Sequence, residues 1–223
     1  MNILAHKDET INVKNFFHHY SKDFDAIYGH TGKRSMTGKW VDKNFRKSMF
    51  LRFKETLKNT ANEEIKSVLD IGCGPGRYIV EFLQQGNEVV GLDIAEGMIE
   101  LAKQVVNDIS YNGSVDFVVS SYLEHHFERK FDAACLMGFF DYIESPEDIF
   151  NKLKQEINKE IYVSFPVAGG LIAWQRKIRY KLRDCPLYFY KKKDIERIMK
   201  NTSLEEKYEI TDIGRDYFVK VIL

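Results

Sequence analysis

Val68 to Leu83 reads VLDIGCGPGRYIVEFL, an apolar run that passes through three closely spaced glycines straight into a helical pattern. An unbroken apolar run such as Val68, Leu69 and Ile71 is the mark of a strand buried on both faces of a parallel sheet. The chain must then turn sharply. Gly72, Gly74 and Gly76 allow backbone angles closed to other residues and let a ligand approach the main chain. The amides that open the next helix point outward with a partial positive charge. The stretch therefore predicts the floor of a ligand site in an alternating α/β chain.

The rest of the chain supplies that alternation. Tyr78 to Gln85 reads as a helix closed by Gly86. EVVGLD, Glu88 to Asp93, is a second strand ending in an acid, and a helix follows from Glu96 to Val106. Val115–Val119 and Phe131–Met137 give the third and fourth strands. A helix with proline in its first turn runs from Pro146 to Ile157, and Ile161–Pro166 is the fifth strand. Two final strands, Lys207–Ile213 and Tyr217–Leu223, are joined by so short a link at Gly214 that they must be antiparallel. Strands and helices alternating at this spacing predict a parallel sheet covered on both faces, with ligands at the carboxyl ends of its strands.

Two flanks differ from this centre. Before it, Phe17, Tyr20, Phe24 and Tyr28 recur at helical spacing, Gly29, Gly32 and Gly38 interrupt, and a second helix from Val41 to Asn59 presents Phe45, Met49 and Phe53. Residues 1–60 are accordingly expected to form a helical lid, and residues 61–223 the ligand-binding domain, with a basic aromatic insert at 167–192. In that insert Leu171, Trp174, Ile178 and Leu182 make an apolar stripe among arginines and lysines. Asn201 takes the place where the next helix would carry a capping glycine.

The net charge is zero, yet Met1–Lys54 holds eleven Lys/Arg against five Asp/Glu, and Leu171–Lys200 ten against three. Such flanks draw an anionic substrate, a membrane surface or nucleic acid, unless they are simply solvated helix faces. No stretch is apolar enough to span a bilayer, and the opening MNILAHKDETINVKNFF lacks the form of a signal peptide, so a cytoplasmic location is expected. The three cysteines, Cys73, Cys135 and Cys185, suggest neither a disulfide framework nor a metal site.

Spacing separates the ligands that use a glycine turn. A P-loop needs Lys and Ser/Thr where Arg77 and Tyr78 stand, and a dinucleotide turn needs a small residue at position 77. Asp70 discriminates further. A carboxylate at the end of the first strand would oppose the two phosphates of a dinucleotide, whereas a cofactor with a cationic head group and no phosphate would gain from it. S-adenosylmethionine has those properties, and Asp93 at the end of the second strand is placed to accept both of its ribose hydroxyls.

With VLDIGCGPGRYIVEF and VVGLDIAEGMIELAK in hand, the chain from Ser67 onward resembles the class I S-adenosylmethionine-dependent methyltransferases. The resemblance implies a Rossmann-like seven-stranded mixed sheet with its last strand antiparallel and helices on both faces. It also implies contacts of Asp70, Gly72, Cys73 and Gly74 with the methionine moiety, of Asp93 and Ile94 with the ribose, and of Met98 with the adenine. Gly76, Met137 and Gly138 complete the expected cofactor set. Where the family usually has an acid for the adenine amine, this chain has Ser120-Ser121-Tyr122, which assigns that role to Ser121 and Tyr122.

The acceptor is expected over the end of the fourth strand, among Phe139, Asp141 and Tyr142, with Tyr20, Trp174, Tyr188 and Tyr190 as further walls. Asp141 and His19 are the candidates for a base or an orienting group. His125 and His126 read as surface residues. LMGFFDYIESPED lacks the Asn/Asp-Pro-Pro-Tyr/Phe sequence that resembles methyltransferases acting on exocyclic amines of DNA, so no nucleic-acid partner is expected. The insert is loosely similar to that of small-molecule O-methyltransferases of the magnesium-protoporphyrin type. An anionic or hydrophobic small-molecule acceptor follows from that, and the basic helix 171–183 would allow peripheral membrane contact. Two rivals stay open beside a methyltransferase working on oxygen: a non-catalytic sensor or assembly protein that binds the same cofactor, and an NAD-linked oxidoreductase.

Overall fold

The computed structural model describes residues 11–17, 36–169 and 185–223, with side chains from residue 47 onward in the second segment. Among these, helix α1 covers 11–17 and α2 Met36–Thr60. The alternating body runs β1 (Ser67–Ile71), α3 (Arg77–Gln84), β2 (Glu88–Asp93), α4 (Glu96–Asn107), β3 (Ser114–Val119), β4 (Phe131–Leu136), α5 (Pro146–Glu156) and β5 (Ile157–Pro166). After it come α6 (Lys192–Asn201), β6 (Tyr208–Asp212) and β7 (Asp216–Ile222).

The strands form one seven-stranded sheet in the order β3-β2-β1-β4-β5-β7-β6. The first five are parallel, and β7 runs antiparallel to both β5 and β6. Successive side chains along a strand face opposite ways, and two cores result. Val68, Ala133 and Cys135 meet Ile79 and Phe82 of α3 and Ile99 of α4, with Leu51, Phe53 and Leu57 of α2 packed at the margin. Leu69, Ile71 and Leu136 face the opposite way, onto Phe150 of α5 and Ile195 and Met199 of α6. The helices after β1 and β4 thus cover different faces. The order reverses between those two neighbouring strands, and a crevice opens at their carboxyl ends.

Several boundaries differ from the sequence expectation. Helix α2 begins at Met36, five residues before Val41, and so contains Gly38, which does not interrupt it. Strand β5 starts at Ile157, directly after α5, because Phe131 at the start of β4 already pairs with Ile157. Asn201 is still helical. The left-handed residue that ends α6 is Ser203 (φ 57), and the Leu204 amide closes the turn on the Met199 carbonyl at 2.7 Å. Gly86 does end α3, with φ 83. The aromatic face of Tyr20, Phe24 and Tyr28, and the stripe from Leu171 to Leu182, lie outside the described residues.

The second core is tied together by aromatic stacking. The Phe140 and Phe165 rings lie 4.6 Å apart and only 2° from parallel, both fully buried, and Tyr190 meets Phe165 edge-on at 5.0 Å. Phe165→Ala would leave a cavity between two layers that cannot close on it. A loss of about 3–5 kcal/mol is expected, read as the shift of the urea-unfolding midpoint.

Candidate functional site

The glycine turn is held by the strand beside it. Gly72 and Cys73 both donate their amides to the Leu92 carbonyl, at 2.7 and 3.1 Å. Gly74 donates to Asp93 Oδ2 at 2.9 Å, and Asp93 Oδ1 accepts from the Ala95 amide, also at 2.9 Å. A carboxylate oxygen has two lone pairs, so Asp93 is oriented by these bonds and each oxygen can accept once more. Burial raises its pKa, and the amides of Ala95 and Gly74 pull the other way. At Gly74 (φ 53) a side chain would meet nothing within 4 Å, so the backbone there borders open space. At Gly72 (φ 69) a Cβ would lie 2.9 Å from the Phe139 ring, which brings the turn after β1 into contact with the segment after β4.

Asp70 is 1% exposed at the end of β1, and its Oδ2 has no hydrogen-bond partner among the described residues. Burial, with Asp93 adding to it, pushes the carboxyl up to about 8, and only the Cys135 thiol opposes that rise. A buried acid without a counter-charge is costly to ionise. Its position asks for a cation.

The sequence reading missed a cation that the structure brings here. Arg52 projects from α2 with Nη1 3.2 Å from Ser164 Oγ and 3.6 Å from Asp216 Oδ2. Ser164 Oγ also accepts the Gly138 amide at 2.8 Å, and a Cβ on Gly138 (φ 75) would lie 3.6 Å from the same nitrogen. Burial works against the guanidinium charge. Tyr78, Asp216 and Asp141 outweigh it and hold Arg52 protonated above its ordinary range. Its Nε is buried and has no partner among the described residues. Beside Leu51, Phe53 and Leu57, α2 turns toward the domain a polar row at four-residue spacing: Ser48, Thr56 and Thr60 are buried, and Arg52 lies between them. Apolar periodicity could not find that row. Its signal would have been a repeat of small hydroxyl residues interrupted by one arginine.

The other expected residues are distributed as follows. Asp141 is buried in a short 3-10 helix, Phe140–Tyr142, and its carbonyl accepts the Tyr188 amide at 2.8 Å. Tyr142 receives Phe17 of α1 edge-on at 5.1 Å, so the N-terminal segment does reach the end of β4. Ile94 is half-buried, while Cys73, Met98 and Met137 are buried. Gly76 caps α3 with φ 79, and Ala102 of α4 packs close to it. Two residues depart from the expectation. Tyr122 is a core residue whose hydroxyl donates to Glu156 at 2.8 Å, with Lys152 over its ring, so that hydroxyl is taken up inside the protein. Tyr190 is likewise core: its hydroxyl donates to the Ile143 carbonyl and its ring packs on Phe165. His125 packs on Phe127 and His126 is exposed. His19, Tyr20 and Trp174 lie outside the described residues. Among those described, no group of three His, Cys, Asp or Glu is placed to hold a metal ion, and no helix is long and apolar enough to cross a membrane.

The comparisons with known proteins agree with this geometry. A family model described as a methyltransferase domain matches residues 68–159. The ubiquinone biosynthesis O-methyltransferase of Hydrogenovibrio crunogenus is 24% identical over 113 residues, which are 50% of this chain and 46% of that protein. The demethylmenaquinone methyltransferase of Oceanobacillus iheyensis is 23% identical over 180 residues, covering 69% and 75%. Among solved structures, the magnesium protoporphyrin IX methyltransferase of Synechocystis PCC 6803 with bound SAH superposes with a TM-score of 0.74 at 20% identity, over 94% of this chain and 97% of that one. The chain spans about half or less of the length of the first curated relatives it matches.

The raised Asp70 has a measurable signature without any ligand. An unfolded chain releases that proton near pH 4, and the folded one near 8. Between those values the folded state holds a proton that the unfolded state lacks, so this group's contribution falls as pH rises and levels off above 8. The melting temperature of Asp70→Asn minus that of the unaltered chain is expected to grow from pH 5 to pH 8. A difference that stays flat across that range would contradict the assignment.

Proposed function

We infer that this chain, which carries a methyltransferase domain on the class I S-adenosylmethionine-dependent fold, moves a methyl group from S-adenosylmethionine to an oxygen of a small molecule. The single observation that carries this reading is the buried Asp70 carboxyl near the glycine turn, whose Oδ2 has no hydrogen-bond partner among the described residues. A phosphate-bearing cofactor would place like charges together there, whereas an ammonium supplies the missing counter-charge. Asp70 would hold the ammonium of the methionine end and Arg52 its carboxylate. Asp93 would take the ribose hydroxyls through its remaining lone pairs. Ile94, Met98 and Ser121 would border the adenine, and Gly72, Cys73, Gly74, Gly76, Met137 and Gly138 shape the wall. When bound, the cofactor supplies a methyl group on a sulfonium, a leaving group already activated by its charge.

The chain's own work is then to orient an acceptor and exclude water. Phe139, Tyr142 and Tyr188 offer an apolar, aromatic approach at the end of β4, and Asp141 beside them can receive or direct a hydroxyl proton. Phe17 on Tyr142 supports the N-terminal sixty residues as a cover for that approach. The similar proteins named for ubiquinone, demethylmenaquinone and magnesium protoporphyrin IX favour a hydrophobic or anionic acceptor. The basic segment near 171–183 suits such a molecule or the surface of the membrane that contains it.

Calorimetric titration with S-adenosylhomocysteine is expected to show one site, weakened on the order of 100-fold in Asp93→Ala through loss of charge-assisted hydrogen bonds. NADH binding without a response to S-adenosylhomocysteine would reverse the reading. Incubation with methyl-labelled cofactor and a metabolite extract is expected to yield a labelled ether or ester identifiable by mass spectrometry. Binding with no labelled product from any extract would leave a sensor in place of an enzyme.

A further inference from the structure

The β6–β7 turn lies on the far side of β5 from the glycine turn, yet it grips the helix that carries Arg52. Ser48, one turn before Arg52 on α2, donates its hydroxyl to the Ile213 carbonyl at 2.8 Å and accepts the Arg215 amide at 3.2 Å. The turn itself is shaped by Asp212, whose carboxylate accepts the Gly214 amide at 2.7 Å, with Gly214 at φ 96. Arg215 in turn accepts the Val167 amide with its carbonyl at 3.0 Å, fastening the turn to the end of β5. The first residue of β7 is Asp216. It is 8% exposed and directs Oδ2 to within 3.6 Å of Arg52 Nη1.

The Nη1 end of the guanidinium is held by two groups, and the Tyr78 hydroxyl also hydrogen-bonds the cation. Asp216 and Ser164 engage Nη1, whereas Nε is buried with no partner among the described residues. A planar cation held in this way is oriented in part by the carboxylate at Nη1, and the donors not so engaged can meet a second anion. Asp216 is separated from the glycine turn by two strands, since β7 pairs with β5 and β5 with β4. It belongs to none of the motifs that mark the cofactor site.

We propose that Asp216 is a positioning residue for the cofactor's carboxylate end: through Arg52 it aims the guanidinium beside Gly138, and so makes the carboxy-terminal hairpin a part of the binding site. The proposal rests on the reading that the chain binds S-adenosylmethionine. It says that recognition of the amino-acid end depends on Asp216 and recognition of the nucleoside end does not.

Two ligands separate these ends. S-adenosylhomocysteine carries the amino-acid end, and methylthioadenosine lacks it. In calorimetry on the full chain, Asp216→Asn is expected to weaken S-adenosylhomocysteine about tenfold, the size of a coupling between contacting residues, and to leave methylthioadenosine unchanged. Asp216→Glu is expected to recover most of the loss. Because removing one partner of a buried pair can unfold a protein, Arg52→Met and Arg52→Met/Asp216→Asn are measured beside it. If Asp216 acts through Arg52, these two bind S-adenosylhomocysteine equally weakly. Equal losses for both ligands, no loss for either, or a further loss in the double variant would overturn the proposal. Failure of the unaltered chain to bind S-adenosylhomocysteine would overturn the cofactor reading itself, and this inference with it.

Discussion

The end of β2 organises the whole carboxyl edge of the sheet. One carbonyl, that of Leu92, accepts two successive amides of the glycine turn, and the carboxylate of the next residue accepts a third. The turn after β1 is thereby built onto the neighbouring strand. Glycines permit its backbone angles, but the adjoining strand selects which of the permitted conformations is adopted. Parallel pairing of β1 with β2 fixes the position of those acceptors, since Ile71 is level with Leu92. Any shift of that register would move the acceptors and dissolve the turn.

On this frame the site gathers charge of one sign. Asp70, Asp93, Asp141 and Asp216 are all buried within the region where Arg52 is the cation. Carboxylates crowded in this way are tolerable if some stay protonated, as Asp70 does near neutrality, or if a cationic ligand arrives. The opposite edge of the sheet treats its acid differently. Asp132 accepts from the Lys66 and Ser67 amides and pairs with Lys159 at 3.1 Å, which together hold its pKa below the usual range despite partial burial. Both edges carry acids, but at the amino edge a lysine answers the acid directly, whereas at the carboxyl edge Asp70 Oδ2 has no partner among the described residues.

The alternating body was legible because its signals are local. Apolar runs, an acid at the strand end and glycines at turns located the seven strands and the antiparallel pairing of the last two, while the reversal of the last strand within the sheet followed from the family resemblance and the crevice between β1 and β4 from the strand order. The contribution of α2 was not legible. Phe53 does pack at the margin of the core, against Tyr78 at 5.1 Å, but the face that enters the domain is Ser48, Arg52, Thr56 and Thr60. Periodicity of apolar residues cannot report a polar interface whose partners are backbone groups 165 and 167 residues away, as for Ser48. The internal bonding of the Tyr122 and Tyr190 hydroxyls was hidden for a related reason. A tyrosine near a site reads as a site residue until its hydroxyl is seen to have an internal acceptor, and those acceptors, Glu156 and the Ile143 carbonyl, are distant in sequence.

The composition of the α2 interface also bears on motion. Apolar layers separate only at the cost of wetting a large area, and that cost is nearly indifferent to pH and salt. Among its described side chains, from residue 47 onward, α2 is seated by hydroxyls, the Arg52–Asp216 ion pair and the marginal Leu51, Phe53 and Leu57, and water can replace the polar part of that seat. The sheet and the helix over it are therefore different materials, one held by hydrocarbon and one seated largely by polar groups.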